Sequence, residues 1–154
     1  MPRTPTPTYC FALVVVRKDD RFLLVRERKV EEGWYLPAGQ VEPGERLVDA
    51  AVRETLEVGG IAVELDGILR VEHTPRPDGS ARLRVFFLAH PIDDTPPKSV
   101  PDAESQGAAW MRLDELDGLT LRGDEVREVL AFVCAGGVAA PLALLQPENS
   151  PWGR

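Results

Sequence analysis

Two glutamates in the first half of the chain have the spacing of a metal site. Glu54 and Glu57 lie three residues apart in a segment with helical periodicity, so their side chains project to the same side of a helix. A glycine-containing turn precedes this segment, and Mg²⁺ and Ca²⁺ prefer oxygen ligands such as carboxylates. An isolated pair of this kind is more often part of an ordinary amphipathic surface helix, so the surrounding residues must distinguish the two interpretations.

Residues 46–59 are predicted to form this helix, with one apolar arc and one polar side. Gly59 and Gly60 supply its stop signal. The predicted apolar arc contains Leu47, Val48, Ala51, Val52, Thr55, Leu56 and Val58, whereas Asp49, Arg53, Glu54 and Glu57 lie outside it.

The composition predicts a soluble globular domain. The chain has 154 residues, of which 44% are hydrophobic and 28% are charged, enough for one domain with a proper core. Its net charge of −7 argues against sequence-independent binding of nucleic acid, which needs clustered Lys and Arg. An anionic small-molecule substrate remains compatible with this charge, because carboxylates can hold such a substrate through bridging metal ions.

The chain contains no apolar run of membrane-spanning length and no signal-peptide pattern at its Pro- and Thr-rich start. Its two cysteines, Cys10 and Cys134, lie in apolar surroundings and are predicted to be buried free thiols. We therefore expect a cytoplasmic protein that binds no membrane and is a monomer or a homodimer.

The order of the predicted elements indicates an α+β domain, an α-β-α sandwich with a central mixed sheet. Residues 9–145 are expected to form this single domain, after a flexible lead-in at 1–8 and before a disordered tail at 146–154. The apolar segment 138–145 is expected to pack on the domain or on a partner subunit. The predicted strands are 9–16, 22–25, 34–36, 61–72, 82–89 and 108–112, with a second helix at 124–135 and an acidic loop at 91–105.

The stretch 39–61 has a recognisable register, G-x5-E-x7-R-E-U-x-E-E-x-G-U, where U is a bulky aliphatic residue. Six of the seven fixed letters are present. This stretch resembles the Nudix box, and by this resemblance the chain is identified as a MutT-like member of the Nudix hydrolase family, with the Nudix fold. The positions that carry the resemblance are Gly39, Glu45, Arg53, Glu54, Glu57, Gly60 and Ile61.

The resemblance implies a hydrolase that depends on Mg²⁺, or on Mn²⁺ in its place, and cleaves a pyrophosphate bond in a nucleoside diphosphate derivative. Glu54 and Glu57 would bind the metal together with the backbone carbonyl of Gly39. Arg53 would orient the glutamates, and Glu45 would support the loop or the outer shell of the metal. Outside the box, Arg53 and Glu57 would be read as a surface ion pair between positions i and i+4.

The box departs from the family pattern at Val58, where a metal-binding glutamate is usual, and at Thr55, where an aliphatic residue is usual. Two helix carboxylates remain where three are common. Either an acid from elsewhere completes the site, or the domain is catalytically weakened and binds a nucleotide without turnover. The resemblance implies Glu104 as the completing acid, a general base or an extra ligand, although a solvated loop charge beside Asp102 is an equal alternative.

The substrate is expected to be a small molecule of nucleotide type. The candidates for stacking on a base are Trp34, Tyr35, Phe86 and Phe87, of which only one or two are expected to line a pocket. Arg84, or Arg82 beside it, is a candidate for contacting phosphate. Glu42 and Glu72 are weaker candidates for metal binding, and His73 is expected to be a surface residue.

Three segments of the chain resemble animal Nudix enzymes that act on oxidised guanine nucleoside diphosphates. They are LPAGQVEPGE, FFLAHP and DAESQGAAW. The resemblance therefore implies 8-oxo nucleotides as substrates. ADP-ribose and nucleotide sugars are the alternative substrates.

Overall fold

A computed structural model describes residues 1–153. The helices and the other strands agree in type and order with the predicted ones, but the short strand Ala38–Gln40 was not predicted; the two helices begin and end within one residue of the predicted bounds. The strands are β1 (Thr8–Lys18), β2 (Arg21–Arg26), β3 (Trp34–Tyr35), β4 (Ala38–Gln40), β5 (Val63–Pro75), β6 (Ala81–Pro91) and β7 (Gly107–Arg112); the helices are α1 (Leu47–Gly59) and α2 (Glu125–Cys134), with short 3-10 turns at Val30–Glu32, Leu113–Gly118 and Leu142–Leu144.

Strand β1 organises the sheet. It pairs in parallel with β6 and antiparallel with β4, and β6 in turn pairs antiparallel with β5. A hairpin joins β1 to β2, which pairs antiparallel with β3 and β7. The predicted mixed sheet is confirmed, and its β1–β4 pairing places Gly39 opposite Ala12 in the middle of the domain.

The core has two layers, one on each face of the sheet, because β1 is buried on both sides. Ala12, Val14 and Val16 pack towards α1, whereas Leu13 and Val15 pack towards α2. One helix therefore covers each face, which confirms the predicted α-β-α sandwich.

The predicted apolar arc of α1 is wrong for two residues, Val52 and Leu56, which are exposed. The buried stripe is centred on Ala51, and its small side chain lets the helix approach the sheet closely. Thr55 is fully buried because its hydroxyl donates a hydrogen bond of 2.8 Å to the Ala51 carbonyl. Glu54 lies at the edge of this stripe and is therefore partly covered.

The segment 138–145 packs on the domain itself. Ile68 in β5 and Ala140 exchange two backbone hydrogen bonds of 2.7 and 2.8 Å, and Leu142 and Leu145 pack against the α1-side core. The predicted burial of both thiols is wrong, since Cys10 is only half-buried and Cys134 is exposed at the end of α2. Within residues 1–153, neither helix has the length and apolar character needed to cross a membrane.

Candidate active site

The guanidinium of Arg53 joins the turn before α1 to the glutamates on the helix. Its Nε and Nη2 donate to the two carboxylate oxygens of Glu45, at 2.7 and 2.9 Å. Its Nη1 donates to Glu54 at 2.9 Å and to Glu57 at 3.0 Å. The same nitrogen contacts both helix carboxylates, so Arg53 holds the two carboxylates close together.

Glu45 fixes the turn as well as Arg53. Its carboxylate accepts a hydrogen bond of 3.1 Å from the backbone N–H of Glu42, and Gly44 gives the turn its left-handed residue, with φ of 78°. The hydrogen bonds from Arg53 lower the pKa of Glu45 to about 2, so Glu45 is ionised at neutral pH. Glu42 itself lies at the rim, 3.7 Å from Arg53 Nη1.

Gly39 and Glu54 are in direct contact. A Cβ atom at position 39 would overlap the carboxyl carbon of Glu54, so only glycine leaves room for this carboxylate against the β4 backbone. The Glu54 side chain is only 12% exposed. Burial raises its pKa, the hydrogen bond from Arg53 opposes this, and the charges of Glu57 and Glu104 add to the rise. Glu54 is therefore a partly desolvated carboxylate among other acids.

The acidic loop places Glu104 directly before Ser105, which is bonded to α1, and the Glu104 side chain is exposed. Val58 is 8% exposed and lies under this loop, where its carbonyl accepts a hydrogen bond of 2.7 Å from the hydroxyl of Ser105. Among the described residues, no three acidic, His or Cys side chains are gathered closely enough to hold an ion by themselves. The Gly39 carbonyl and the Glu54 and Glu57 carboxylates nevertheless form a set of oxygen donors that suits Mg²⁺.

A cleft of about 320 Å³ opens beside Gly39, on the face of the sheet that α2 covers. It runs from β4 across β1 and β6 to the start of α2, and Gly39, which contacts Glu54, is the residue that it shares with the glutamate site. Its walls combine aromatic, cationic and acidic side chains. The lining residues are Phe11, Leu13, Tyr35, Ala38, Gly39, Gln40, Arg82, Arg84, Arg122 and Glu125.

Glu125 is held in the cleft by two donors. The Tyr35 hydroxyl donates to one of its carboxylate oxygens, and Arg84 Nη2 donates to the other at 2.7 Å. Burial alone would raise the pKa of Glu125, but the bonds from Tyr35 and Arg84 lower it below its usual value. Burial and the Glu125 charge raise the pKa of Tyr35, so the phenol stays protonated. The cleft thus presents one ionised carboxylate in a fixed orientation.

Three arginines make the cleft cationic in a protein of net charge −7. Arg82 Cζ lies 4.5 Å from the centroid of the Phe11 ring, and Arg122 Cζ lies 5.2 Å from that of Tyr35. Arg122 and Arg84 have carboxylate partners, and Arg82 contributes a guanidinium whose Nε has no partner within the described residues. Such a cleft suits a flat ligand with anionic or acceptor groups.

The predicted substrate-binding residues divide between the cleft and the protein core. Tyr35 and Arg84 line the cleft. Trp34 packs against the α2-side core, and Phe86 lines a neighbouring groove along α2. Of the weaker candidates, Glu72 lies 3.3 Å from Arg84 at the edge of that groove, and His73 is exposed on β5, as expected.

The sequence reasoning did not single out Phe11, Arg122 or Glu125. Phe11 belongs to a continuous apolar run, in which nothing separates a cleft residue from a core residue. Arg122 and Glu125 lie in a charged stretch of ordinary composition. The alternation of Arg82, Arg84 and Phe86 along β6 is the one signal that was available, since it places all three on the same face.

Comparison with known proteins decides the family. The family model described as NUDIX domain matches residues 6–132. The chain belongs to the Nudix family. The prediction made from the box is confirmed, and the Arg53 cluster described above is the three-dimensional form of that box.

Similar proteins include both animal and bacterial Nudix members. The human 8-oxo-dGDP phosphatase NUDT18 is 34% identical over 146 residues, which cover 93% of this chain and 44% of that protein. This chain therefore spans less than half the length of the human relative. Phosphatase NudJ of Escherichia coli K12 is 30% identical over 140 residues, which cover 90% of each chain. A NUDIX hydrolase structure from Nitrosomonas europaea aligns with a TM-score of 0.76 and 28% identity, covering 95% of this chain and all of that one.

Proposed function

We propose that this Nudix protein is a metal-dependent pyrophosphohydrolase that acts on a nucleoside diphosphate derivative. The observation that supports this most is the position of Glu54 and Glu57. Both are held by one Arg53 nitrogen, and Glu54 lies against Gly39, which also lines the arginine-lined cleft. A pyrophosphate placed at this junction has acids on one side and a nucleoside-sized cleft on the other.

The oxygen donors around Gly39 fit a hard divalent cation. Gly39, Glu54 and Glu57 would hold Mg²⁺, or Mn²⁺ in its place, and Glu104 would add a fourth oxygen donor or take the proton of the attacking water. When bound, the ion supplies charge neutralisation at the phosphate oxygens and acidifies the water. Arg53 keeps Glu54 and Glu57 aligned, and Glu45 keeps Arg53 in place.

The cleft is proposed to take the nucleoside part of the substrate. Phe11 and Tyr35 supply aromatic surface, the arginines donate to acceptor groups, and Glu125 accepts from N–H groups. The human relative is named for action on 8-oxo-dGDP, and a base with both N–H and carbonyl groups on its edge matches this mixture of donors and acceptor. An oxidised guanine nucleotide is therefore the first substrate to test, with ADP-ribose and nucleotide sugars as alternatives. Trp34 and Phe86 do not line the cleft and stay predictions as substrate contacts, whereas Phe87 is fully buried in the α1-side core and leaves no surface for a base.

The direct test is hydrolysis by the purified full chain with Mg²⁺ or Mn²⁺ and a panel of 8-oxo-dGDP, dGDP, 8-oxo-dGTP, ADP-ribose and UDP-glucose. We expect metal-dependent release of phosphate or of a nucleoside monophosphate, with the highest kcat/KM on 8-oxo-dGDP. Removal of the metal with EDTA should abolish product formation. Turnover on none of the five compounds with either metal would contradict the proposed function, and a preference for ADP-ribose or UDP-glucose would replace the substrate assignment.

Val58 favours a second candidate, a weakened Nudix domain that binds a nucleotide without efficient turnover. The variant Val58→Glu separates the two. Val58 is almost fully covered and lies one turn from Glu54, so a new carboxylate there is expected to lower the melting temperature in EDTA. Mg²⁺ or Mn²⁺ should restore the melting temperature, since a ligand that binds the folded state stabilises it.

If Glu104 already completes the site, kcat of Val58→Glu should stay within about threefold of the parent value, a difference of less than 1 kcal/mol in barrier height. Val58→Leu, which keeps an apolar side chain, is the matched control. A gain of more than about a hundredfold, near 3 kcal/mol, would support the weakened domain instead.

A further inference from the structure

The C-terminal end of α1 is bonded to the acidic loop. A helix leaves its last four carbonyls without partners inside the helix. Here the carbonyl of Gly59 accepts a backbone hydrogen bond of 2.9 Å from Lys98, that of Val58 accepts one of 2.7 Å from the Ser105 hydroxyl, and that of Glu57 accepts one from the Lys98 ammonium. The remaining carbonyl, of Leu56, is bonded locally by Gly60. Three of the four carbonyls are therefore bonded to a segment about forty residues further along the chain.

The loop is also tied to itself around Asp102. One carboxylate oxygen of Asp102 accepts from the backbone N–H groups of Glu104 and Ser105, at 2.8 and 3.1 Å. The other lies 2.7 Å from the Lys98 ammonium. The bond from Lys98 and those two backbone bonds lower the pKa of Asp102 to about 2, so the carboxylate stays charged. Lys98, Asp102 and Ser105 thus form one hydrogen-bonded unit that contains the backbone of Glu104.

The fit between this unit and the helix is close. Ser105 is fully buried, and the Lys98 side chain is 13% exposed. A Cβ atom on Gly60 would lie 3.0 Å from the Lys98 backbone nitrogen, and one on Gly107 would lie 3.0 Å from the Lys98 carbonyl. Both glycines have positive φ, 74° and 146°, which side chains rarely adopt. The positive charge of Lys98 also suits the negative end of the α1 dipole.

This unit acts at the position where the box departs from its family. The carbonyl that Ser105 binds is that of Val58, the residue in place of the usual glutamate. The residue before Ser105 is Glu104, whose backbone N–H is bonded to Asp102 within the same unit. The loop therefore delivers an acid to the part of the site where the helix lacks one.

We propose that Lys98 and Ser105 are positioning residues that hold the Glu104-bearing loop on α1, so that Glu104 supplies from the loop the carboxylate that the helix lacks at Val58. This inference depends on the proposed function through the role of Glu104. It assigns to Lys98 and Ser105 a part in metal binding, although neither contributes an oxygen to the ion.

The test is a double-mutant cycle with Ser105→Ala, Glu104→Gln and the combined variant. Mn²⁺ affinity of the purified full chain, measured by electron paramagnetic resonance without substrate, is the first readout, and kcat and KM on the best substrate are the second. We expect Ser105→Ala to weaken Mn²⁺ binding and lower kcat about tenfold, as for other residues that orient metal ligands, with KM nearly unchanged. In the Glu104→Gln background the same change should have little further effect, because the two residues act as one unit.

Three further variants separate positioning from a general effect on folding. Ser105→Thr keeps the hydroxyl and should retain most of the Mn²⁺ affinity. Ser99→Ala makes the same change at an exposed position of the loop and should leave both readouts at the parent value. Lys98→Met should reproduce the Ser105→Ala result and serves in its place if Ser105→Ala does not fold.

An equal loss from Ser105→Ala with and without Glu104, or no loss in either background, would overturn the positioning role. A Glu104→Gln variant with parental Mn²⁺ affinity would overturn it as well. None of these three results would affect the proposed function. That function fails only if the chain does not hydrolyse the substrate panel or does so independently of Glu54.

Discussion

Replacement of Glu54 by Gln is expected to lower kcat about a thousandfold or more while leaving the fold intact. Glu54 lies against Gly39, which also lines the cleft, and Gln keeps the shape of Glu54 but loses its negative charge. A metal ion contributes several kcal/mol to stabilising charge in the transition state, and about 4 kcal/mol corresponds to a thousandfold in rate. Initial rates at saturating Mg²⁺, together with Mn²⁺ affinity, measure the effect.

The same substitution should not lower the melting temperature in EDTA. Burial raises the pKa of Glu54, so the folded protein bears a free-energy cost for the ionised carboxylate above that pKa, and this cost is absent in Gln. The Gln carbonyl oxygen can still accept the hydrogen bond from Arg53. Asp49→Asn, a change of an exposed acid on the same helix, is the matched control and should leave kcat unchanged. A Glu54→Gln variant with more than about a tenth of the parent rate would remove Glu54 from the metal site.

The helix and the sheet could be predicted because their patterns are local. The periodicity of residues 46–59 and the runs of β-branched residues depend on neighbours a few positions apart. The box register likewise indicated which residues lie near Arg53, since the turn and the helix belong to one continuous stretch of sequence. The exposure of the Val52 and Leu56 side chains could not be predicted in this way, because it depends on how closely Ala51 lets the helix approach the sheet.

The cleft depends on contacts between distant segments, and the sequence does not display them. Phe11, Arg84 and Glu125 meet only because β1 pairs in parallel with β6 and α2 begins above them. The hydrogen bonds from Lys98 and Ser105 to α1 also join distant segments, since their partners lie 41 and 47 residues away along the chain. Glu104 could be proposed from the family resemblance, but the residues that hold its backbone became visible only in the folded protein.

Gly39 can therefore be tested as a residue whose importance lies in its lack of a side chain. In Gly39→Ala the new methyl group would overlap the carboxyl carbon of Glu54, which is the far end of a flexible side chain and can move away. The backbone at Gly39 is not left-handed, so Ala adopts it without strain. The expected result is a loss of kcat of about a hundredfold or more, because the Glu54 carboxylate is displaced from its position. A displacement of a reacting group by about 1 Å has an effect of this size.

Stability should change little in Gly39→Ala. Alanine restricts the unfolded chain and stabilises by about 0.4–1 kcal/mol, which offsets part of the cost of moving Glu54, so the melting temperature should stay within about 4 °C of the parent value. Gly118→Ala is the control, since a methyl group there meets open space. The decisive comparison is Gly39→Ala in the Glu54→Gln background. If the methyl group acts by displacing the Glu54 carboxylate, it should cost little once that carboxylate is gone; an undiminished loss would show that Gly39 acts through its own carbonyl instead.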